Sequence, residues 1–198
     1  MSNTSAPPLS APQIPEILTP RLRLRGHRLD DFDAFTQMQA DPVVMQHITG
    51  KPLGRDDAWQ KFSRSVGHWS LRGFGYWVIC DRHSGQFLGE AGFANFERCI
   101  DPSLTAYLEA GWVLDRSAHG RGVATEAVCA ALSWADAHCP DRPVVCMIDE
   151  ANKASVRVAE KCGFEPWVKT DFKGSRVQLY RRSASPTTSN KQTLQHIE

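Results

Sequence analysis

The chain has no excess of charge. Its 23 Lys and Arg stand against 22 Asp and Glu, a formal net charge of +1 over 198 residues. Without a strong positive field it is poorly suited to non-specific nucleic-acid binding, which works by neutralising phosphates. It lacks any apolar run near the roughly 20 residues that cross a bilayer. Its N-terminus lacks the basic-then-apolar order of a secretory signal. The expectation is a cytoplasmic protein with neither nucleic acid nor membrane as partner. There is no C-x-x-C pair and no Cys/His spacing of the zinc-finger kind, so no metal is expected. The six cysteines stand at 80, 99, 129, 139, 146 and 162. Several sit in apolar runs such as Val145-Cys146-Met147, which reads as buried free thiols. No internal repeat is visible.

Residues 1–17 are rich in Ser, Pro and Ala, and residues 183–198 in Ser, Thr, Asn and Gln. Neither stretch carries enough periodic apolar residues to offset the entropy of ordering, so both read as disordered tails around one domain, 18–182. Leu22-Arg23-Leu24-Arg25 alternates as a strand. Asp30 or Asp31 caps a helix with Phe32, Phe35 and Met38 on one face, ended by Pro42. Ala58, Trp59, Phe62, Val66 and Trp69 give a second helix over 56–69. Tyr76–Cys80 and Phe87–Phe96 form a hairpin around Ser84-Gly85, and Leu104–Leu114 is a longer strand. A helix over Ala127–Ala137, a continuous apolar strand Val144–Ile148, and a helix from the cap Asn152 to Cys162 follow. A hairpin, Pro166–Phe172 with Ser175–Arg182, closes the body. The order predicts an α/β (α+β) fold, with a mixed sheet of about six to seven strands flanked by four helices.

Between the long strand and the next helix lies His119-Gly120-Arg121-Gly122-Val123-Ala124-Thr125. A glycine-rich strand-to-helix turn exposes backbone N–H groups at the positive end of a helix dipole, a ready site for phosphate. The spacing is neither that of the nucleotide-hydrolase loop nor that of the dinucleotide fingerprint. It resembles the [QR]-x-x-G-x-[GA] pyrophosphate loop of the GNAT N-acetyltransferases, with His119 in the first position and Ala124 in the last. Other stretches fall in register with that family. Thr19-Pro20-Arg21-Leu22-Arg23-Leu24-Arg25 resembles the opening of the branch that includes the ribosomal-protein acetyltransferases RimJ and RimL. Phe87-Leu88-Gly89-Glu90-Ala91-Gly92 resembles its hairpin strand, and Glu109-Ala110-Gly111-Trp112-Val113-Leu114 its E-x-G-[YW]-x-[LI]. Asn152-Lys153-Ala154-Ser155, through Glu160-Lys161-Cys162-Gly163-Phe164, resembles N-x-x-S-x-x-x-x-E-K-x-G-F. The likeness spans about 19–182.

The resemblance implies an N-acetyltransferase with acetyl-CoA as co-substrate. Trp112, Val113 and Leu114 would pair through their backbones with the pantetheine arm, much as an added strand does. Gly120 and Gly122 would let the loop approach the pyrophosphate, with Val123 and Ala124 completing it and Arg121 and His119 supplying charge. Thr125 is read equally well as a loop contact or as an ordinary first-turn residue. Asn152 is a helix cap and, by resemblance, a pantetheine ligand through its other amide atom. Lys161 is read as a CoA-phosphate contact or as an exposed lysine paired with neighbouring acids. For the base, Glu109 comes first, four residues before Val113, and Glu90 second. Each has the alternative of a carboxylate paired with an Arg. His47, His68 and His83 are given no role. Many GNAT enzymes carry a Tyr four residues before the Gly of the G-F pair to protonate the leaving sulfur, and that position is Ala159. Ser155 is the candidate replacement, or else part of the cap. A non-catalytic acyl-CoA-binding module is the alternative function. The acceptor amine has no signature, and both a monomer and a homodimer fit an exposed closing hairpin.

Overall fold

The computed structural model describes residues 13–183. Most of the two expected tails lies outside the described residues. One boundary is corrected: residues 13–17 belong to the folded body. Ile14 and Ile17 pack against the main core, and the Pro15 carbonyl accepts a 2.8 Å hydrogen bond from the Trp77 indole. A buried indole N–H needs a partner, and this segment supplies it.

The body is a mixed sheet of eight strands with five α-helices. The strands are β1 (Ile17–Leu18), β2 (Leu22–Arg25), β3 (Tyr76–Asp81), β4 (Phe87–Ala94), β5 (Leu108–Leu114), β6 (Val144–Asp149), β7 (Glu165–Phe172) and β8 (Ser175–Arg182). Their order across the sheet is β1-β2-β3-β4-β5-β6-β8-β7, and only β5 with β6 is parallel. The helices are α1 (Phe32–Ala40), α2 (Pro42–Met45), α3 (Arg55–Arg72), α4 (Val123–His138) and α5 (Lys153–Lys161).

The strand count exceeds six to seven because β1 adds to the edge. The helix count exceeds four because Pro42 opens a helix as well as following one. Pro42 is the first residue of α2, where its missing N–H costs nothing, and Asp41 caps it by accepting from the N–H groups of Val43 and Val44. Strand β5 begins at Leu108 rather than Leu104, since the chain at Leu104 turns back through a bond from the Tyr107 N–H to the Leu104 carbonyl. Helix α4 starts at Val123, four residues before the expected Ala127.

Two larger cores flank the sheet, beside a small cluster of Leu104, Val145 and Leu179. On one face Trp77, Ile79, Leu88, Ala91, Phe93, Ala110 and Leu114 pack against α4 and α5. On the other, Val113 packs with Phe32, Phe35, Met38 and Phe62 of α1 and α3. Trp59, expected in that core, is 47 % exposed and lies edge-on against Phe32. All six cysteines are free thiols. Cys80, Cys146 and Cys162 are buried as expected, whereas Cys99 and Cys129 are exposed. The Cys129 and Cys162 sulfurs approach to 3.4 Å across the α4–α5 contact.

One ion pair ties β2 to α1. Arg25 forks onto Asp31 with two 2.7 Å bonds, and both side chains are nearly buried. Burial pushes the Asp31 carboxyl up, but the Arg25 fork and the Arg28 N–H outweigh it and hold it below the usual carboxylate range. Its contribution is therefore present above the unfolded value of about 3.9 and lost as pH falls through the lower folded value. Asp31→Asn is expected to cost about 3 kcal/mol at pH 7, near the lower end for breaking a buried pair. Urea unfolding should show the difference from the parent protein closing toward pH 2. A constant difference across that range would mean that Asp31 stabilises by shape and not by charge.

Candidate functional site

The central feature is an unpaired strand edge. Strand β4 pairs with β5 all the way from Ala94↔Glu109 to Gly89↔Leu114. On its other side β5 pairs with β6 at Leu108 and Glu109 alone. From Ala110 to Leu114 the two parallel strands diverge, which leaves backbone groups of β5 free to meet a ligand in a wedge. The candidate residues Trp112, Val113 and Leu114 line that edge.

The wedge ends at the glycine-rich turn. Gly122 is the N-cap of α4 at φ 73°, a left-handed conformation that glycine adopts without strain. Among the described residues, the N–H groups of Gly120, Arg121, Gly122, Val123, Ala124 and Thr125 make no hydrogen bond within the protein. The first that does is Glu126, to the Gly122 carbonyl. Unsatisfied N–H groups at a helix start, with the positive dipole end behind them, form a cradle for phosphate oxygens. His119 does not point its ring charge into that cradle. Its Nε2 bonds the Leu114 carbonyl at 3.1 Å, which pins the turn to the end of β5. Arg121 is exposed and reaches the Ser117 carbonyl at 3.3 Å. The Thr125 carbonyl accepts a long 3.8 Å contact from the Cys162 thiol.

Helix α5 supplies the other wall. The Asn152 side-chain oxygen accepts from the Ser155 N–H at 3.1 Å, so the cap is real, and the amide NH₂ is left over for a ligand. The half-buried Ser155 hydroxyl bonds no other described residue. Lys161 is exposed and has no ion pair among the described residues, so it is not the paired lysine of the bland reading. Its neighbour Cys162 abuts Thr125, which brings this end of α5 beside the start of α4.

On the α1/α3 face the register lines up Glu90 with Val113, Gly92 with Gly111, and Ala94 with Glu109. Glu109 is clamped by Arg98, whose Nε and Nη2 lie 2.9–3.1 Å from its two oxygens. Glu90 is buried between His27 and Lys61, each 3.4 Å away, rather than paired with an Arg. Burial raises the Glu90 carboxyl, but Lys61 and His27 prevail and hold it below its usual range. Lys61 also reaches the Gln39 carboxamide at 3.1 Å. His47 pairs with Asp149 at 3.2 Å, and His68 bridges the Arg64 and Asn95 carbonyls. Among the described residues no group of three or more His, Cys, Asp or Glu is placed to hold a metal ion. No described helix is long and apolar enough to cross a membrane.

Sequence reasoning missed His27, Lys61 and Arg98, because nothing local marks a partner far along the chain. It also missed the work of Arg21 and Glu126. Glu126, in the first turn of α4, accepts from the Thr19 hydroxyl at 2.5 Å, the Arg21 N–H at 3.1 Å and Arg21 Nε at 2.6 Å. Arg21 Nη1 also donates to the Arg121 carbonyl at 2.8 Å. The Thr-Pro-Arg opening is thus a brace for the phosphate turn. The available signal was an acidic residue at a helix start and an arginine in the resembling motif.

The family profile described as Acetyltransferase (GNAT) domain matches residues 21–165. The YkkB protein of Bacillus subtilis (strain 168), itself uncharacterized, is 30% identical over 176 residues, covering 85% of this chain and 96% of that protein. Among solved structures, one described as a GnaT-family acetyltransferase of Bordetella pertussis aligns with TM-score 0.76 and 30% identity, covering 85% of this chain and 99% of the other. A RimL ribosomal L7/L12 alpha-N-protein acetyltransferase in complex with coenzyme A aligns with TM-score 0.70 over 85% of this chain and 98% of its own. At 18% identity that likeness is one of fold.

If the brace holds the turn, Arg21→Ala should loosen the start of α4 locally. Hydrogen exchange of the amides Glu126–Ala130 is expected to quicken about tenfold, the equivalent of one hydrogen bond to a charged group. Core amides of β4 should change less. Uniform quickening, or none, would show that the brace does not act on the turn.

Proposed function

The chain belongs to the GNAT acetyltransferase family, and on that premise we propose that it moves the acetyl group of acetyl-CoA to a primary amine, a protein N-terminus or a small molecule, by direct attack on the thioester. The observation that carries this reading is the run of six unbonded N–H groups from Gly120 to Thr125 at the mouth of the β5–β6 wedge. The cradle fits a pyrophosphate, and the free edge of β5 fits the amides of a pantetheine arm. Arg121 and Lys161 lend charge at the rim. The Asn152 NH₂ is the second hold on the arm, and Thr125 closes the first turn.

Positioning carries most of the rate. Holding amine and thioester together is worth roughly 7–11 kcal/mol, against roughly 3–5 kcal/mol for a single acid or base. A backbone N–H near Val113 or Leu114 meets the developing oxyanion. Glu109 takes the amine's proton through water. A carboxylate offers about four acceptor positions, so the Arg98 fork fixes its orientation and leaves capacity on the groove side. Glu90 is the lesser candidate, since its side chain is buried more deeply than that of Glu109 and is enclosed by Lys61 and His27. Ser155, with its unengaged hydroxyl, donates toward the departing sulfur.

Acetyl-CoA is expected to raise the melting temperature, because it binds the folded state. Gly122→Val should abolish that shift, since a branched side chain would face the phosphates and φ 73° strains any residue with a Cβ. Equal shifts in both proteins would remove the turn from the binding site. A shift without thiol release, over a panel of amines, would favour the acyl-CoA-binding module instead.

Glu109→Gln should lower kcat by about 10²-fold or more, the range for a lost base. It should leave the acetyl-CoA thermal shift nearly intact. Should kcat be kept while stability drops, Glu109 serves only to hold Arg98.

A further inference from the structure

One polar side chain on the α1/α3 face has no work in the account above. Tyr76 of β3 lies opposite Gly92 of β4, and Gly92 lies opposite Gly111 of β5. Two successive glycines across the sheet leave no side chain between Tyr76 and β5. The phenol spans that gap. A Cβ built on Gly111 would sit 2.0 Å from the Tyr76 hydroxyl oxygen, so the sequence at 111 must be glycine for the hydroxyl to be where it is.

The same register places Glu90 two pairs further along β4 and Glu109 two pairs further the other way on β5, each the next residue on the same face. The hydroxyl therefore stands midway along a polar line that runs Lys61, Glu90, Tyr76, Glu109, Arg98. Every other member of that line has a partner within hydrogen-bonding or ion-pair distance. The Tyr76 hydroxyl has none among the described residues. Burial, then Glu90, then Glu109 push its ionisation well above the ordinary phenol value. It is a neutral O–H throughout the working pH range, with an oxygen lone pair to offer. Tyr76 is half-buried and its hydroxyl is not sealed from solvent, so a bound molecule can meet it.

We infer that Tyr76 orients the acceptor amine: its hydroxyl oxygen accepts one N–H of the amine, two register pairs from Val113. With that N–H held over Gly111, the nitrogen lone pair is turned along β5 toward the thioester, and the remaining N–H faces the water at Glu109. Phenylalanine would fill the same gap without giving that direction. Gly92 and Gly111, which read as plain strand glycines in the sequence, become the channel through which the phenol crosses.

The inference rests on the acetyl-transfer reading, and its test separates the two. The full chain and its Tyr76→Phe variant are assayed for thiol release from acetyl-CoA with a peptide bearing a free N-terminal serine, spermidine and phenethylamine. On any amine that the parent protein turns over, Tyr76→Phe should lose roughly tenfold or more in kcat, the equivalent of one directed hydrogen bond in the transition state. The acetyl-CoA thermal shift and the KM for acetyl-CoA should stay as in the parent. Gly111→Ala, which pushes the hydroxyl from its place, should reproduce the loss on the same amine. Full kcat in Tyr76→Phe would overturn the assignment and leave the transferase reading standing. A loss that follows acetyl-CoA affinity instead of kcat would also overturn it, since the residue would then serve the cofactor side. No transfer by the parent protein to any of the three amines would overturn both readings together.

Discussion

The divergence of β5 from β6 is the constraint on which the functional part of this molecule depends. A parallel pair normally continues until a strand ends, since each lost rung strands a donor and an acceptor. Here the pair lasts two residues, Leu108 with Val144 and Glu109 with Val145. Strand β5 then runs five residues further while still fully paired to β4. The wedge persists because each strand is secured on its far side. Six register pairs hold β5 to β4, and six hold β6 to β8. The His119 ring ties the end of β5 to the turn at the Leu114 carbonyl, and Arg21 with Glu126 ties the turn to the sheet edge. A ligand that supplies amide groups along β5 and phosphates at the turn completes hydrogen bonding that the protein leaves open.

The α1/α3 face shows the opposite policy toward polar groups. Its two carboxylates are buried and are satisfied by basic side chains brought from elsewhere in the chain. Lys61 comes from α3, His27 from the loop after β2, and Arg98 from the loop between β4 and β5. Arg98 is itself held between the rings of Phe96 and Phe172, at 4.4 and 4.7 Å. Buried ion pairs contribute little net stability relative to an apolar core, so a row of them along one floor is better explained by the task of placing charge than by folding. The two faces divide the work. The wedge is defined by backbone groups left open, and the floor by side chains paired in advance.

The order of elements and the turn were legible in the sequence because they rest on local rules. Alternation marked β2, i, i+3, i+4 spacing marked α3, and Gly120 and Gly122 before a small-residue run marked a turn into a helix, though that helix begins at Val123, four residues before the expected Ala127. The reading failed where the deciding partner is distant. Nothing near Ile14 says that Trp77 needs the Pro15 carbonyl, and nothing near Asp41 says that Pro42 begins a helix, except that the aspartate can cap. Glu109 and Glu90 were singled out as carboxylates on the right strands, and both stand on the floor. Which cation meets each depends on α3 and on a loop, and that is tertiary information. The same holds for Tyr76, whose use of Gly111 appears only once three strands are in register.

The absent tyrosine acid has a physical explanation in α5. Ala159 is fully buried, packed into the core that α4 and α5 share with the sheet. A tyrosine there would have to displace that packing at the usual cost of overfilling a core. The Cys129 and Cys162 sulfurs meet at 3.4 Å just beyond, so the α4–α5 contact leaves no space for a larger side chain there. One turn earlier, at Ser155, the same side of the helix emerges from the core, and the hydroxyl there is half-buried and unengaged. The chemistry tolerates the exchange. A thiol of pKa about 8.5 departs as thiolate near neutral pH with far less help than an alkoxide needs. Under the proposed reaction a small donor at Ser155, or water beside it, would therefore meet a modest demand, and the wedge and the floor would carry the rest by holding amine and thioester together.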